Sequence, residues 1–280
     1  MAARFWVNTG STTNWAATVP TNWAATSGDT TKVAVPGSGD DVTFDGAGNG
    51  NSASVVSANI TILSLTFTAG YTDTVTINTA VTLTIAGNFT DNTAHSWTVS
   101  GTGSMAISAA STITSGGKTF PGPVIFSGAN TKTLATNDWT ITGTLTCSGG
   151  NTTINGQTLN IGGGFSQAGF NVSGTTILVL NGTGTWTGGS GNVVSNSLTI
   201  NTAGTITMGT TVDYGTGTFT YTAGTVTTTS STLRISASCT LNTNGITWNN
   251  ITVPGNSTLT INSLLTATGT FTLNNSTAPI

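Results

Sequence analysis

The sequence predicts an all-β protein: a parallel β-helix (β-solenoid) over residues 54–280, preceded by a Trp-rich capping module over residues 1–53. Three observations carry this prediction. Apolar and polar residues alternate in short runs bounded by Gly and Asn, the period of a half-buried strand. Similar three-strand units recur along the chain. The composition, with 66 threonines, 37 glycines and no glutamate in 280 residues, suits pleated surfaces and turns and works against helix.

The first 46 residues stand apart. Phe5-Trp6-Val7 is followed by Asn14-Trp15, Asn22-Trp23 and the run Asp40-Asp41-Val42-Thr43-Phe44-Asp45. The first turn of a β-solenoid exposes an open core and an unpaired strand edge, so it must be covered. Phe5, Trp6, Trp15, Trp23 and Phe44 are the residues expected to cap that end and to offer an interface to another subunit. An aromatic platform for a sugar is the competing reading of the same cluster.

From Ser54 onward the alternation is nearly continuous, as in Leu65-Thr-Phe67, Val75-Thr-Ile77 and Val81-Thr-Leu83-Thr-Ile85. The expected inward columns are Leu65, Phe67, Ile77, Leu83, Ile85, Ile107, Ile113, Phe120, Ile125, Leu134, Trp139 and Leu145, continued by Leu198, Ile200, Ile235, Leu241, Trp248, Ile251, Leu259, Ile261 and Phe271. Outward threonines form ladders that gain from branching and cross-strand contact. Gly and Asn mark corners where a positive φ is expected, and Pro121-Gly-Pro123 marks a rigid corner before the strand at Val124. The segment 105–128 aligns with 233–255, and related units begin at Leu65 and Leu198, so the repetition is irregular. At about 20 residues per turn, residues 54–280 make about eleven turns, a rod of about 50 Å at the usual strand spacing. A pair of β-sandwiches or a jelly roll is the alternative all-β architecture. Ser276–Ile280 are expected to form a short arm or a terminal cap.

The same composition excludes several functions. Five Lys and Arg residues and eight Asp leave a net charge of −3, too few cations on any one face for nucleic-acid binding. No apolar run is long enough to span a membrane, and the N-terminus lacks the apolar core of a secretion signal. Cys147 and Cys239 sit in strand-like runs and are read as small buried hydrophobes. His95, the single histidine, lies between two strands in Asp91-Asn-Thr-Ala-His95-Ser-Trp97 and is read as a surface-loop residue without catalytic partners. Asp73, Asp91 and Asp138 border strands, where Asp ordinarily caps its own backbone. Asp40, Asp41 and Asp45 form the sole acidic cluster; Ca²⁺ is the ion it would take, although calcium wants about six to eight oxygens and the spacing matches no EF-hand. No other cofactor is expected. The Thr-x-Thr runs at 140–146, 216–222 and 266–272 raise ice binding, against which the unequal repeat intervals argue.

The opening pattern Phe5-Trp6-Val7, Asn14-Trp15, Asn22-Trp23, Val35-Pro36 and Asp40-Asp41-Val42-Thr43-Phe44-Asp45 resembles the first module of a group of bacteriophage structural proteins. The Leu-Thr-Ile…Gly repeats behind it are similar to their β-helical bodies, and similar openings occur on bacterial surface proteins. The resemblance implies a non-enzymatic virion protein, made in the host cytoplasm and carried on the phage particle. Its expected role is capsid decoration, as a homotrimer bound to the major capsid protein or other virion proteins, without nucleic-acid or membrane partners. A tail fibre or tailspike-like receptor- or glycan-binding protein is the alternative; a bacterial surface adhesin or an ice-binding solenoid is the third.

Overall fold

The computed structural model describes residues 2–8, 12–17, 21–243, 245–255 and 257–274; the expected arm at 276–280 lies outside them. The protein is all-β, a parallel β-solenoid of about 11 turns. Among the described residues no helix is long and apolar enough to cross a membrane. Two compact units divide the chain, residues 1–126 with 131–139 and residues 127–130 with 140–280.

In the first unit each turn places one strand in each of three sheets. One sheet begins with Ala2–Trp6, closed on its outer side by the short antiparallel strand Trp23–Ala24. It then continues in parallel: Asp41–Phe44 pairs with Ser64–Phe67, Leu65 with Phe89, and Phe89 with Ile113. A second stacks Ser54–Val56, Thr74–Ile77 and Ser96–Val99. The third stacks Ile60, Leu83, Met105 and Val124. The capping module is therefore the first layer of this stack and not a separate body.

The second unit repeats the plan. Leu159, Leu178, Leu198, Phe219 and Leu241 form one column. Leu145, Phe165, Trp186 and Met208 form another. Val172, Val194, Tyr214 and Ile235 form the third. Beyond the first strand, where Ala2 meets Asp40 across a longer connection, the described register partners lie from 18 residues apart (Leu233 with Ile251) to 24 (Leu65 with Phe89). The structural repeat is thus one turn, far shorter than the intervals of the sequence echoes.

Strict alternation makes the interior. Leu65, Phe67, Ile77, Leu83, Ile85, Ile107, Ile113, Phe120, Leu134, Trp139, Leu145, Leu198, Ile200, Ile235, Leu241, Trp248 and Ile251 are all buried. Each such side chain contributes about 1.5–3 kcal/mol when fully removed from water. Four expected core residues depart from this. Ile125 is half-exposed, because Val124 and Phe126 on either side point inward, stacked beside Met105 and Ile107. The continuous apolar run hides its parity, and a one-residue slip reverses every side chain. Leu259 is half-exposed, while Ile261 and Phe271 are 47% and 45% exposed. They stack on Cys239, Leu241 and Ile251, and no further described turn covers them.

The corners also differ from expectation. Among the described residues the only asparagine with a positive φ is Asn8; glycines supply most of the rest. Asparagine instead ties turn to turn through its side-chain carbonyl. Thr82 N–H donates to Asn59 Oδ1 at 2.8 Å, Thr112 N–H to Asn88 at 2.9 Å, Val193 N–H to Asn171 at 2.7 Å and Thr270 N–H to Asn250 at 2.8 Å. These bonds satisfy backbone donors where the strand ladder is interrupted. Gly46 and Gly70 permit the closest corner contact. Gly46 has φ +73°, and a Cβ there would lie 2.0 Å from the Gly70 carbonyl oxygen.

Candidate functional site

The expected capping residues form a continuous aromatic cluster. Trp6, Trp15, Trp23 and Phe44 are fully buried, with ring centroids 5.2–5.8 Å apart, and Phe44 passes the contact on to Phe67 and Tyr71. Trp23 Nε1–H donates to the Trp15 carbonyl at 2.9 Å, and Tyr71 O–H to the Ser52 carbonyl at 3.1 Å. Burial pushes the Tyr71 phenol well above its ordinary range. No tryptophan face reaches solvent here, so this cluster offers no platform for a sugar ring. Phe5 is half-buried, outside the aromatic core.

The acidic cluster is dispersed by its own partners. Asp40 pairs with Arg4 at 3.3 Å and accepts from Gly37 N–H at 3.0 Å. Asp41 accepts from the Ser64 hydroxyl, and Asp45 from Ala47 N–H at 3.0 Å in a local turn. Among the described residues no three His, Cys or Asp side chains gather as a metal site. Ca²⁺ at Asp40, Asp41 and Asp45 would require these bonds to be exchanged. Asp41, Ser64, Thr66, Asn88 and Thr90 line an open groove of about 410 Å³. A second groove of about 360 Å³ is bordered by Thr218, Ser238, Cys239, Thr240 and Thr260. Both are neutral or nearly so, with hydroxyl and amide walls.

His95 is the largest departure from the sequence reading. It is buried, not on a surface loop, and its ring stacks on Phe67 at 4.0 Å. His95 Nε2 hydrogen-bonds Asp91 Oδ1 at 2.7 Å, while Trp97 Nε1–H donates to Asp91 Oδ2 at 2.7 Å. Asp91 continues the inward column Phe44–Phe67 and does not cap its own backbone. Lys118 Nζ–H donates to the His95 carbonyl from the turn beyond. The other imidazole nitrogen lies 3.2 Å from the Ser96 carbonyl, so both ring nitrogens face oxygen acceptors. In a nucleophilic triad one ring nitrogen would instead face the nucleophile. The sequence did carry a signal, since His95 and Trp97 share parity with the inward face of Ser96–Val99.

A second polar knot lies in the other unit. Asp213 is fully buried and accepts from Arg234, Ser236 and, at 2.9 Å, Gly191 N–H. Asp213 and Arg234 are register partners on adjacent turns, so the ion pair runs along the stacking direction. Asp73 accepts from the neighbouring Thr74 N–H, the local cap expected of it. The backbone N–H of Thr31 holds the exposed Asp29 carboxyl below the usual range. Cys147 and Cys239 are both buried, and burial pushes the Cys239 thiol up to about 11, which keeps it protonated and unreactive near neutrality.

No known protein family, curated protein or solved structure matches this chain.

Proposed function

We propose that the protein is a non-enzymatic virion structural component that decorates and stabilises a phage capsid. The observation that carries the reading is the buried aromatic cap that opens the β-solenoid: Trp6, Trp15, Trp23 and Phe44 lie in its first layers, the arrangement the resemblance implies. The stacked strands behind it alternate buried apolar residues with Thr, Ser and Asn on the outer faces, which suits a rigid, polar-surfaced body. Stable docking needs about 800 Å² on each partner, which a homotrimer would supply by presenting several copies of one face to the major capsid protein. The N-terminal resemblance supports the phage setting, and the interior polar knots support a stiff, purely mechanical body.

The test is imaging of intact virions labelled with antibody against this chain. Uniform labelling of the head is the expected result. Label confined to the tail would favour a receptor-binding fibre and overturn the decoration reading, as would hydrolysis of bacterial polysaccharide by the purified chain.

A further inference from the structure

Of the three threonine runs, 216–222 lies mostly within the strand Gly217–Thr227, while the other two are broken. In 140–146 a bend separates Trp139–Ile141 from Leu145–Ser148, and in 266–272 the strands Thr266–Ala267 and Phe271–Asn274 are distinct. A regular array arises elsewhere, from segments that are far apart in sequence. Gly184–Thr187 stacks on the second half of Leu198–Met208, which stacks on the end of Gly217–Thr227. The register places Thr185 on Thr207 and Thr207 on Thr227, and Thr205 on Thr225. Thr183 adjoins Thr205, whose N–H donates to the Thr183 hydroxyl at 3.3 Å. Two outward columns result, Thr183–Thr205–Thr225 and Thr185–Thr207–Thr227, and all six side chains are exposed or half-exposed.

The unequal spacing along the chain does not disturb this array. Thr185 and Thr207 are 22 residues apart and Thr207 and Thr227 are 20; the paired strands Leu198–Met208 and Gly217–Thr227 shift register between Ile200 and Thr205, and from Thr205 onward they run in step. Neighbouring turns lie about 4.8 Å apart and alternate residues of a strand about 6.7 Å apart, which defines a rectangular lattice of hydroxyls and methyls. β-branching holds each χ1 nearly fixed, so little side-chain freedom remains to be lost on contact. Trp186, Ile206 and Met208 hold the plane from beneath.

We propose that this face binds the surface of ice, an ordered lattice of water oxygens. Residues 183–227 contain one charged side chain, Asp213, which is buried, so a polyanion finds no cations to bind. The array carries no aromatic ring, which removes the usual platform for a sugar, and its hydroxyls make a poor seat for lipid or for an apolar protein patch. A neutral, periodic, rigid lattice of donors, acceptors and methyls is complementary to a partner that is itself neutral, periodic and hydrogen-bonding.

The experiment measures thermal hysteresis and ice-crystal shape with the purified full chain. The expected result is a freezing gap with faceted crystals, lost in Thr207→Lys and largely retained in Thr207→Ser. Thr61→Lys serves as the control, since its column Thr61–Thr84 runs into Ala106 and Ile125 and forms no array; it should behave as the parent. Circular dichroism establishes that each variant is folded. Absence of hysteresis in the folded parent, full activity in Thr207→Lys, or retention on crystalline cellulose in place of ice would each overturn the proposal. None of these readouts involves a virion, so failure here leaves the capsid reading untouched.

Discussion

Replacing Asp91 by leucine removes the acceptor shared by His95 and Trp97 while keeping an apolar side chain in the column beside Phe67. Two ring N–H groups are then left without their partner in the interior. Each unsatisfied donor costs about 1–3 kcal/mol, so the expected loss for the two is about 2–6 kcal/mol. It should appear in urea unfolding as a lower midpoint at unchanged slope. Hydrogen exchange should place it locally, with faster exchange in Thr74–Ile77 and Ser96–Val99, the strands that carry the pair's surroundings. The triple change Asp91→Leu, His95→Phe, Trp97→Phe leaves no polar group to satisfy and should recover most of the loss. A loss below about 1 kcal/mol for the single variant would refute the reasoning, and so would a triple variant no more stable than the single one.

Three other outcomes follow from the geometry. Trp23→Ala should cost about 3–5 kcal/mol and make the N-terminal segment the first site of limited proteolysis, because the outermost strand loses both its packing and the Trp15 bond. Gly46→Ala should cost about 1–3 kcal/mol in thermal unfolding, since its Cβ meets the Gly70 carbonyl and its φ is positive. The Cys239 thiol is raised from 9.0 to about 11 in the fold, so the unfolded chain loses that proton first as pH rises. Its contribution is complete below pH 9 and declines up to about pH 11; in Cys239→Val the fall in stability across that window should be shallower.

The strand alternation was readable because it is local: Leu65-Thr-Phe67 declares its two faces without reference to any other turn. Sheet membership was not, because every sheet of each unit uses the same Leu-x-Ile code. His95 was misplaced for a related reason. Asp91-Asn-Thr-Ala-His95 has the polarity of a loop, and only its parity with Trp97 places the ring inside. Ile125 lies in an unbroken apolar run, where parity is set by stacking on Ala106 and not by sequence. The cap residues were legible because tryptophans clustered beside a non-repeating segment have few alternatives to burial. The threonine array was missed because its columns join residues about one turn apart, while windows such as 140–146 cross a bend.

The variable length of the turns has an evolutionary consequence. Loop closure is forgiving, with each doubling of length costing about 0.6 kcal/mol, and partners from 18 to 24 residues apart still meet in register. Insertions and deletions at the bends therefore alter the outline of the protein while the ruled surface of each sheet keeps its spacing. Such a chain can diverge quickly in length and sequence at its edges under selection that acts on its faces.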